Sequence, residues 1–231
     1  MEWASACGLE VPEHRVIHAS EIENLPEDFD PDQDVFIVRR FDRRDDGTRI
    51  HQEDFAQVFD VAPEERYAWE SADLGWVHYG SIGAVIGALC GEDDYREYAR
   101  RLVFMVLSGN ADAHIKNWAL VYPDGLRARL SPLYDFVSTA VYPSLGRHSA
   151  LRWSEPPAPT LDPAKRLVDV TMDDLLEAAS YADGAATPEL IDDLAEFAQR
   201  VRTTWVDIAK IAPAFIRERV EAHLTAATLE Q

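Results

Sequence analysis

The sequence predicts an α+β fold in which a short strand region is followed by a mainly helical body. Residues 14–19 and 34–41 are rich in β-branched and apolar side chains, which is typical of strands. From Gln52 onward, apolar residues recur at three- and four-residue spacing, which predicts helices. At 231 residues and 47% hydrophobic content, the chain is long enough to bury a core of ordinary size. We expect residues 1–45 and 46–231 to form the two parts.

The N-terminal part is predicted to hold one helix end and two strands. Gly8 closes the helix of residues 1–8, because glycine readily takes the left-handed conformation that ends helices. An acidic, proline-containing loop separates the two strands, and the turn at Asp45-Asp46-Gly47 ends the second one. His51 lies near Glu53 and Asp54 and is expected to cap a helix rather than to bind a metal.

The remaining elements are predicted from apolar spacing and turn chemistry. Helices are expected near residues 78–90, 93–108, 171–182, 187–209 and 213–228. A hairpin interrupts them, because apolar runs flank the turn sequence Pro123-Asp124-Gly125. Pro156, Pro157 and Pro159 predict a surface loop. Arg147 and His148 are expected on a solvated loop, with contact to a protein substrate as the alternative.

Composition excludes several classes of partner. The chain has 22 Lys and Arg against 42 Asp and Glu, a formal net charge of -20. Such a surface repels phosphate backbones and anionic lipid, so we expect neither nucleic acid nor membrane as a direct partner. The first residues carry no secretory signal pattern, and the most apolar stretch, residues 77–90, is shorter than the roughly 20 residues that a membrane helix needs. A cytoplasmic location is expected.

The segment from Ser108 to Asn117 is polar yet lies between an apolar helix and an apolar hairpin. Asp112 and Asn117 are five positions apart, the separation that in a kinase catalytic loop places an aspartate beside the accepting hydroxyl and an asparagine on the metal. Lys116 is placed to neutralise charge on a phosphoryl group. This segment is therefore the main candidate for chemistry.

A second aspartate, Asp135, follows the hairpin 18 positions beyond Asn117. The hairpin would return Asp135 to the loop, and oxygen ligands from Asn117 and Asp135, completed by water and phosphate, suit Mg²⁺. Spacing alone equally allows a polar loop with an aspartate-capped turn.

The motifs resemble those of HipA-like serine/threonine kinases. The run from Asn110 to Asn117 matches the N-x-D-x-H-x-K-N pattern of these kinases, and the run from Pro132 to Asp135 resembles their P-x-Y-D element. Three further segments are similar to family elements in the same order: Cys7-Gly8-Leu9-Glu10-Val11-Pro12, Phe36-Ile37-Val38-Arg39-Arg40-Phe41-Asp42-Arg43 and His51-Gln52-Glu53-Asp54-Phe55. The resemblance covers residues 1 to about 145.

The resemblance implies a kinase-like fold, with a small remnant of the N-lobe on a helical C-lobe, and a set of site residues. Asp112 would be the catalytic base, with His114 and Lys116 supporting the loop and the phosphate. Asn117 and Asp135 would hold Mg²⁺ and thereby ATP. The cofactor site would be completed by a hinge whose backbone meets the adenine edge, formed by Arg39, Arg40 and Phe41.

The resemblance also implies a function and partners. These kinases transfer the ATP γ-phosphate to serine or threonine of a protein, act as toxins of toxin–antitoxin pairs, and have an aminoacyl-tRNA synthetase as substrate class. The implied partners are thus a synthetase-like protein and an antitoxin.

The sequence lacks two features of a complete kinase of this type. Its lysines are Lys116, Lys165 and Lys210, so none precedes the catalytic loop to hold the α- and β-phosphates, and no glycine-rich loop precedes the hinge. We expect a fragment, one half of a split kinase with a separate N-lobe chain, or a non-catalytic pseudokinase that binds a partner. Weak ATP binding and an exposed apolar patch around Val35, Ile37 and Phe41 are also expected.

Overall fold

The computed structural model describes residues 1–26, 29–68, 71–156, 164–182 and 187–229. The helices in these ranges are α1 (Glu2–Ala6), α2 (Phe55–Val58), α3 (Tyr79–Cys90), α4 (Glu92–Ser108), α5 (Met172–Ala179), α6 (Pro188–Ile211) and α7 (Ala214–Ala226). The strands are β1 (His14–His18), β2 (Asp34–Val38), β3 (His51–Asp54), β4 (Ala119–Tyr122) and β5 (Arg129–Leu130). The predicted α+β class is confirmed.

Helix α4 lies at the centre of the core and packs against α3, α5, α6 and α7. Its first turn is acidic, which favours a helix N-terminus, whereas residues 102–107 are apolar and buried on every side. Arg101 is buried on the same helix, where its Nε donates to Glu97 Oε1 at 2.9 Å and its Nη1 donates to Ser131 O at 2.7 Å. The helix is thus held firmly up to Ser108, where the predicted catalytic loop begins.

The five strands form two antiparallel sheets. Strands β1 and β2 pair with each other, and β4 lies between β3 and β5 in the second sheet. The first residues of the chain join the helical core, since Trp3 Nε1 donates to Val201 O on α6 at 3.0 Å and its ring lies 4.6 Å from that of Trp205.

The exposed apolar patch of the first sheet lies on a different face from the predicted one. Val35, Ile37 and Phe41 are half-buried. Val16 and Phe36 are paired across the strands and, with Val38, expose 62%, 51% and 41% of their surfaces. Side chains alternate between the faces of a strand, so the exposed set is one position out of register with the expected set.

Strand β3 was not among the predicted elements. Residues 51–54 pair with β4, and α2 begins only at Phe55. The helix cap expected at the cluster of His51, Glu53 and Asp54 is present, and the capping residue is Asp54, which accepts from Gln57 N at 3.0 Å. His51 lies in β3 with its ring 5.2 Å from that of Tyr122. The pairing partner of β3 is about 70 residues away along the chain, so the local spacing of apolar residues does not predict this strand.

The other predicted elements agree with the structure to within a few residues. Thr171 and Thr187 directly precede helices α5 and α6 and cap them, because their side chains accept from backbone N–H groups of the first turn. Residues 157–159 of the predicted proline-rich loop lie outside the described residues. Among the described helices, none is long and apolar enough to cross a membrane.

Candidate active site

The polar segment after α4 starts at a sharp backbone turn. Gly109 has φ +72°, a left-handed conformation that glycine adopts without strain. A Cβ at this position would lie 2.4 Å from Ala140 Cβ, so the close approach of residues 139–141 also requires glycine. The turn directs the following residues away from the helix axis and towards the β3-β4-β5 sheet.

Asp112 is partly buried and held from several sides. Its backbone N–H donates to Asn110 Oδ1 at 3.0 Å, and its carbonyl accepts from Asn117 Nδ2 at 2.8 Å. Tyr67 Oη donates to Asp112 Oδ1 at 2.6 Å. This contact and burial raise the pKa of Tyr67, with burial the larger cause. Oδ2 of Asp112 accepts no hydrogen bond from the described residues and can receive another donor.

The segment that carries Asp135 is bound to this loop at both ends. Tyr134 Oη donates to Lys116 O at 2.7 Å, just before Asp135. On the other side, Thr139 Oγ1 donates to Gly109 O at 3.0 Å and accepts from Ala111 N at 2.8 Å. Asp135 is therefore fixed over the loop that carries Asp112 and Asn117.

The side chains of Asn117 and Asp135 carry oxygen atoms of the kind that Mg²⁺ binds, and the expected shared ion stays a prediction. Because Asn117 Nδ2 is engaged with Asp112 O, its Oδ1 is the atom left to act as a ligand. Asp135 is exposed, has φ +50°, and makes no hydrogen bond or ion pair with the described residues. Two such oxygens fit Mg²⁺, which keeps several waters and binds through few protein groups together with phosphate. No cluster of three or more His, Cys, Asp or Glu in the described residues is arranged for a metal.

His114 lies beneath this site. It is buried, and its ring meets the edge of Tyr67 at 5.2 Å between ring centres. Burial lowers the pKa of His114, against the opposing charge of Asp112, and the ring is therefore neutral near pH 7. Its Nδ1 has no hydrogen-bond partner among the described residues. His114 thus packs against Tyr67, and its expected support of the loop and the phosphate stays a prediction.

Lys116 is turned towards β3 and α2. Its Nζ lies 2.8 Å from Asp54 Oδ2, in an ion pair where Asp54 also caps α2. This ion pair links the loop to the start of α2. The expected contact of Lys116 with phosphate stays a prediction.

The expected hinge, Arg39 to Phe41, follows strand β2. The N–H of Arg39 donates to Glu13 O at 2.8 Å, whereas the N–H groups of Arg40 and Phe41 have no acceptor among the described residues. The side chains of Arg39 and Arg40 pair with nearby acids, and the ring of Phe41 lies 5.4 Å from that of Tyr134. The backbone N–H groups of Arg40 and Phe41 are therefore available to a ligand, and the expected adenine contact of this segment stays a prediction.

Beside Asp112 lies a cavity of about 470 Å³. Tyr67 and Asp112 form one wall, and the segment from Leu145 to Ala150 forms another. Asp112 is therefore accessible from this cavity.

Sequence reasoning missed three residues that shape the site: Tyr67, Asp54 and Thr139. They lie 45, 62 and 28 or more positions from their partners along the chain. Of these, only Asp54 had a local signal, the Asp54-to-Gln57 spacing of a capping box. No local pattern identifies the other two.

Comparisons with known proteins place the chain in a family. The model of the family described as HipA-like C-terminal domain matches residues 1–210. The protein called "Putative kinase Y4dM" of Sinorhizobium fredii is 34% identical over 226 residues, which are 96% of this chain and 51% of that protein. "Putative kinase Y4mE" of the same organism is 38% identical over 120 residues, 50% of this chain and 28% of that protein. The chain thus spans about half the length of the first relative.

A solved structure shows the same fold. It is a chain of the Shewanella oneidensis toxin–antitoxin complex of HipA, HipB and operator DNA. The match has a TM-score of 0.71 at 21% identity and covers 98% of this chain and 53% of that chain.

Proposed function

The chain belongs to the HipA-like C-terminal domain family, and we propose that it carries the phosphoryl-transfer site of a serine/threonine-protein kinase. The observation that supports this most is the attachment of the Asp135 segment to both ends of the Asp112 loop, through Tyr134 and Thr139. These bonds fix the segment of Asp135 against the loop that carries Asp112 and Asn117, the three residues that a phosphoryl-transfer site of this type would use. The relatives named as kinases agree with the proposal.

In the proposed reaction, the hydroxyl of a serine or threonine enters the cavity beside Asp112. Oδ2 of Asp112 accepts the hydroxyl proton while the hydroxyl oxygen bonds to the γ-phosphorus of ATP. The bond between that phosphorus and the β,γ-bridging oxygen breaks, and ADP leaves. Tyr67 holds the carboxylate in place through Oδ1.

Asn117 and Asp135 would hold Mg²⁺ in this scheme. Bound there, the ion would neutralise charge on the nucleotide phosphates. The backbone amides of Arg40 and Phe41 would meet the adenine. The ion pair of Lys116 with Asp54 keeps the loop in position during transfer.

The partners proposed are those of the family. The acceptor would be a protein of the aminoacyl-tRNA synthetase class, and an antitoxin would regulate the kinase. The exposed face of Val16, Phe36 and Val38 offers an apolar surface on which the remaining part of an N-lobe would pack, as part of a longer chain or as a separate one.

The proposal is tested by single-turnover transfer of labelled phosphate from ATP to a serine-containing acceptor protein. The chain is in excess over the acceptor protein, and ATP is at millimolar concentration. We expect transfer that requires Mg²⁺ and falls about 10²-fold or more in Asp112→Asn, because a general base is lost. Asp124→Asn, on the exposed hairpin turn, serves as the matched control and should transfer like the wild type. Equal transfer by Asp112→Asn and wild type would remove Asp112 from this role.

The second candidate is a pseudokinase that binds a partner without catalysis. It is favoured by the ion pair of Lys116 with Asp54, which directs this lysine to a carboxylate and away from phosphate. Nucleotide binding without transfer in the same assay would support it.

A further inference from the structure

A second cavity, of about 380 Å³, lies on the other side of the segment that walls the Asp112 cavity. Three arginines line it: Arg147, Arg166 and Arg219. Its other walls come from glycine, alanine and aliphatic residues and from the buried His223, and none of the lining residues is acidic. In a chain of net charge -20, these three arginines form a marked local concentration of positive charge.

The arginines are held in place by backbone groups. Arg147 Nη1 donates to Ala140 O at 2.9 Å, and Arg219 Nη1 donates to the next carbonyl, Val141 O. Within the described residues, neither guanidinium lies within 4.0 Å of a carboxylate. A guanidinium has five N–H donors, so each keeps most of its donors for a ligand.

Arg166 completes the set with little structural function of its own. Its one described ion pair, with Asp169, has a long separation of 3.9 Å between exposed side chains. Guanidinium groups with donors to spare are suited to carboxylates and phosphates, which they bind with paired hydrogen bonds.

The two cavities adjoin each other. Both are lined by Ala111, which immediately precedes Asp112, and by Gly146, which precedes Arg147. A chain segment that places a hydroxyl beside Asp112 therefore passes close to the arginines.

We propose that the cavity of Arg147, Arg166 and Arg219 binds an anionic side chain that flanks the acceptor serine or threonine. This rests on the proposed function of the Asp112 cavity. The ligand chemistry is a side-chain oxyanion, from either glutamate or phosphoserine. The cavity then selects acceptor proteins by an acidic neighbour of the phosphorylated residue.

A protein segment fits this site better than nucleic acid does. The cavity is small, and the surrounding surface has an excess of negative charge that repels a continuous phosphate backbone. A single acidic side chain has far less negative charge than a nucleic-acid backbone, so the acidic surface repels it less.

The test is binding of fluorescent peptides to the full chain, without ATP. Three peptide pools, each centred on one serine, carry glutamate, phosphoserine or glutamine at the flanking positions. We expect the glutamate or phosphoserine pool to bind at least about fivefold more tightly than the glutamine pool at low salt, since each exposed ion pair adds a modest amount. The pool with the tighter binding identifies the source of the anion.

Arg166→Gln and Arg219→Gln should each reduce this preference, and the double variant should abolish it. Because the Arg166 side chain makes only a long ion pair with Asp169, Arg166→Gln should fold normally, so a reduced preference in this variant is not explained by misfolding. Arg127→Gln, on the exposed hairpin turn, is the matched control and should keep the preference. Equal binding of the three pools by the wild type, or a preference that survives the double variant, would overturn the proposal.

Competition and transfer measurements distinguish the anion site from a nucleic-acid site and from the kinase activity itself. A single-stranded oligonucleotide that displaces the peptide at lower concentration than free acidic peptide would assign the cavity to nucleic acid and overturn the proposal. If the three peptide pools bind with equal affinity and Mg²⁺-dependent transfer is observed, only the anion site is rejected. A clear preference without transfer would reject only the proposed kinase activity.

Discussion

At the scale of single residues, the candidate loop is shaped by bonds between side chains and backbone. Asn110 and Asn117 both bind the main chain of Asp112, and Thr139 binds that of Gly109 and Ala111. These bonds do not depend on the charge of any carboxylate. The loop can therefore keep its shape while Asp112 gains and loses a proton.

His78 provides a residue-scale prediction about pH. Its Nδ1 accepts from Ser81 N at 3.1 Å at the start of α3, and burial lowers the pKa of His78 to about 4. The pKa of His78 in the folded state lies below the ordinary value of about 6.5. The neutral ring therefore contributes to the stability of the folded state above pH 6.5, and this contribution is lost as the pH falls towards 4. We expect the free energy of unfolding to fall between pH 7 and pH 4.5, with about 2 kcal/mol of the loss due to His78.

Urea unfolding of His78→Asn at the two pH values measures this contribution. Asparagine keeps an acceptor at the cap but does not titrate, so the variant should lose less stability on acidification. His51→Asn, on the exposed face of β3, should behave like the wild type. An unchanged pH dependence in His78→Asn would show that the ring is not the group responsible.

At the scale of elements, the turn after α4 joins the two halves of the candidate site. Gly109 and Gly47 have similar conformations, with φ +72° and +80°, but only Gly109 has a close neighbour. Gly109→Ala should destabilise the chain by more than about 2 kcal/mol, through backbone strain and overlap with Ala140. Gly47→Ala should cost only the strain, about 1 kcal/mol.

Thermal and urea unfolding of both variants would measure the difference. Ala140→Gly in the Gly109→Ala background removes the overlapping methyl group and should restore part of the stability. Similar losses in the two single variants would mean that residues 139–141 do not pack closely against Gly109.

Most elements could be predicted from the sequence because their signals are local. Caps, apolar stripes and the Pro123-Asp124-Gly125 turn located the helices and the hairpin. Strand β3 was missed because it depends on pairing with a distant strand, and the apolar patch was assigned to the wrong face because burial depends on the neighbouring layer. The same holds for the site: Asp112, Asn117 and Asp135 have a spacing that predicts a role, whereas Tyr67 and Thr139 reach the loop only in the folded chain.

At the scale of the whole molecule, the motif resemblance is confirmed at the level of the family. The division at residue 45 stays a prediction. Trp3 already packs against Val201 and Trp205 of α6, so the two predicted parts share contacts at the N-terminus. The acidic surface and the local arginine cavity together favour a protein as the partner over nucleic acid.

The proposed chemistry depends above all on Asn117 and Asp135 binding one divalent ion together with a nucleotide. A paramagnetic ion is suitable because it detects even weak binding of a metal ion and nucleotide near named amide groups. The measurement is the broadening of backbone and side-chain amide NMR signals on addition of Mn²⁺, in place of Mg²⁺, with and without ATP.

With ATP present, we expect the strongest broadening at the Asn117 side-chain amide and the Asp135 backbone amide, and a much smaller effect without ATP. Asp135→Asn should remove this ATP-dependent broadening, while Asp124→Asn should leave it in place. Broadening that follows the acidic surface regardless of ATP, or that persists unchanged in Asp135→Asn, would contradict the proposed metal and nucleotide site.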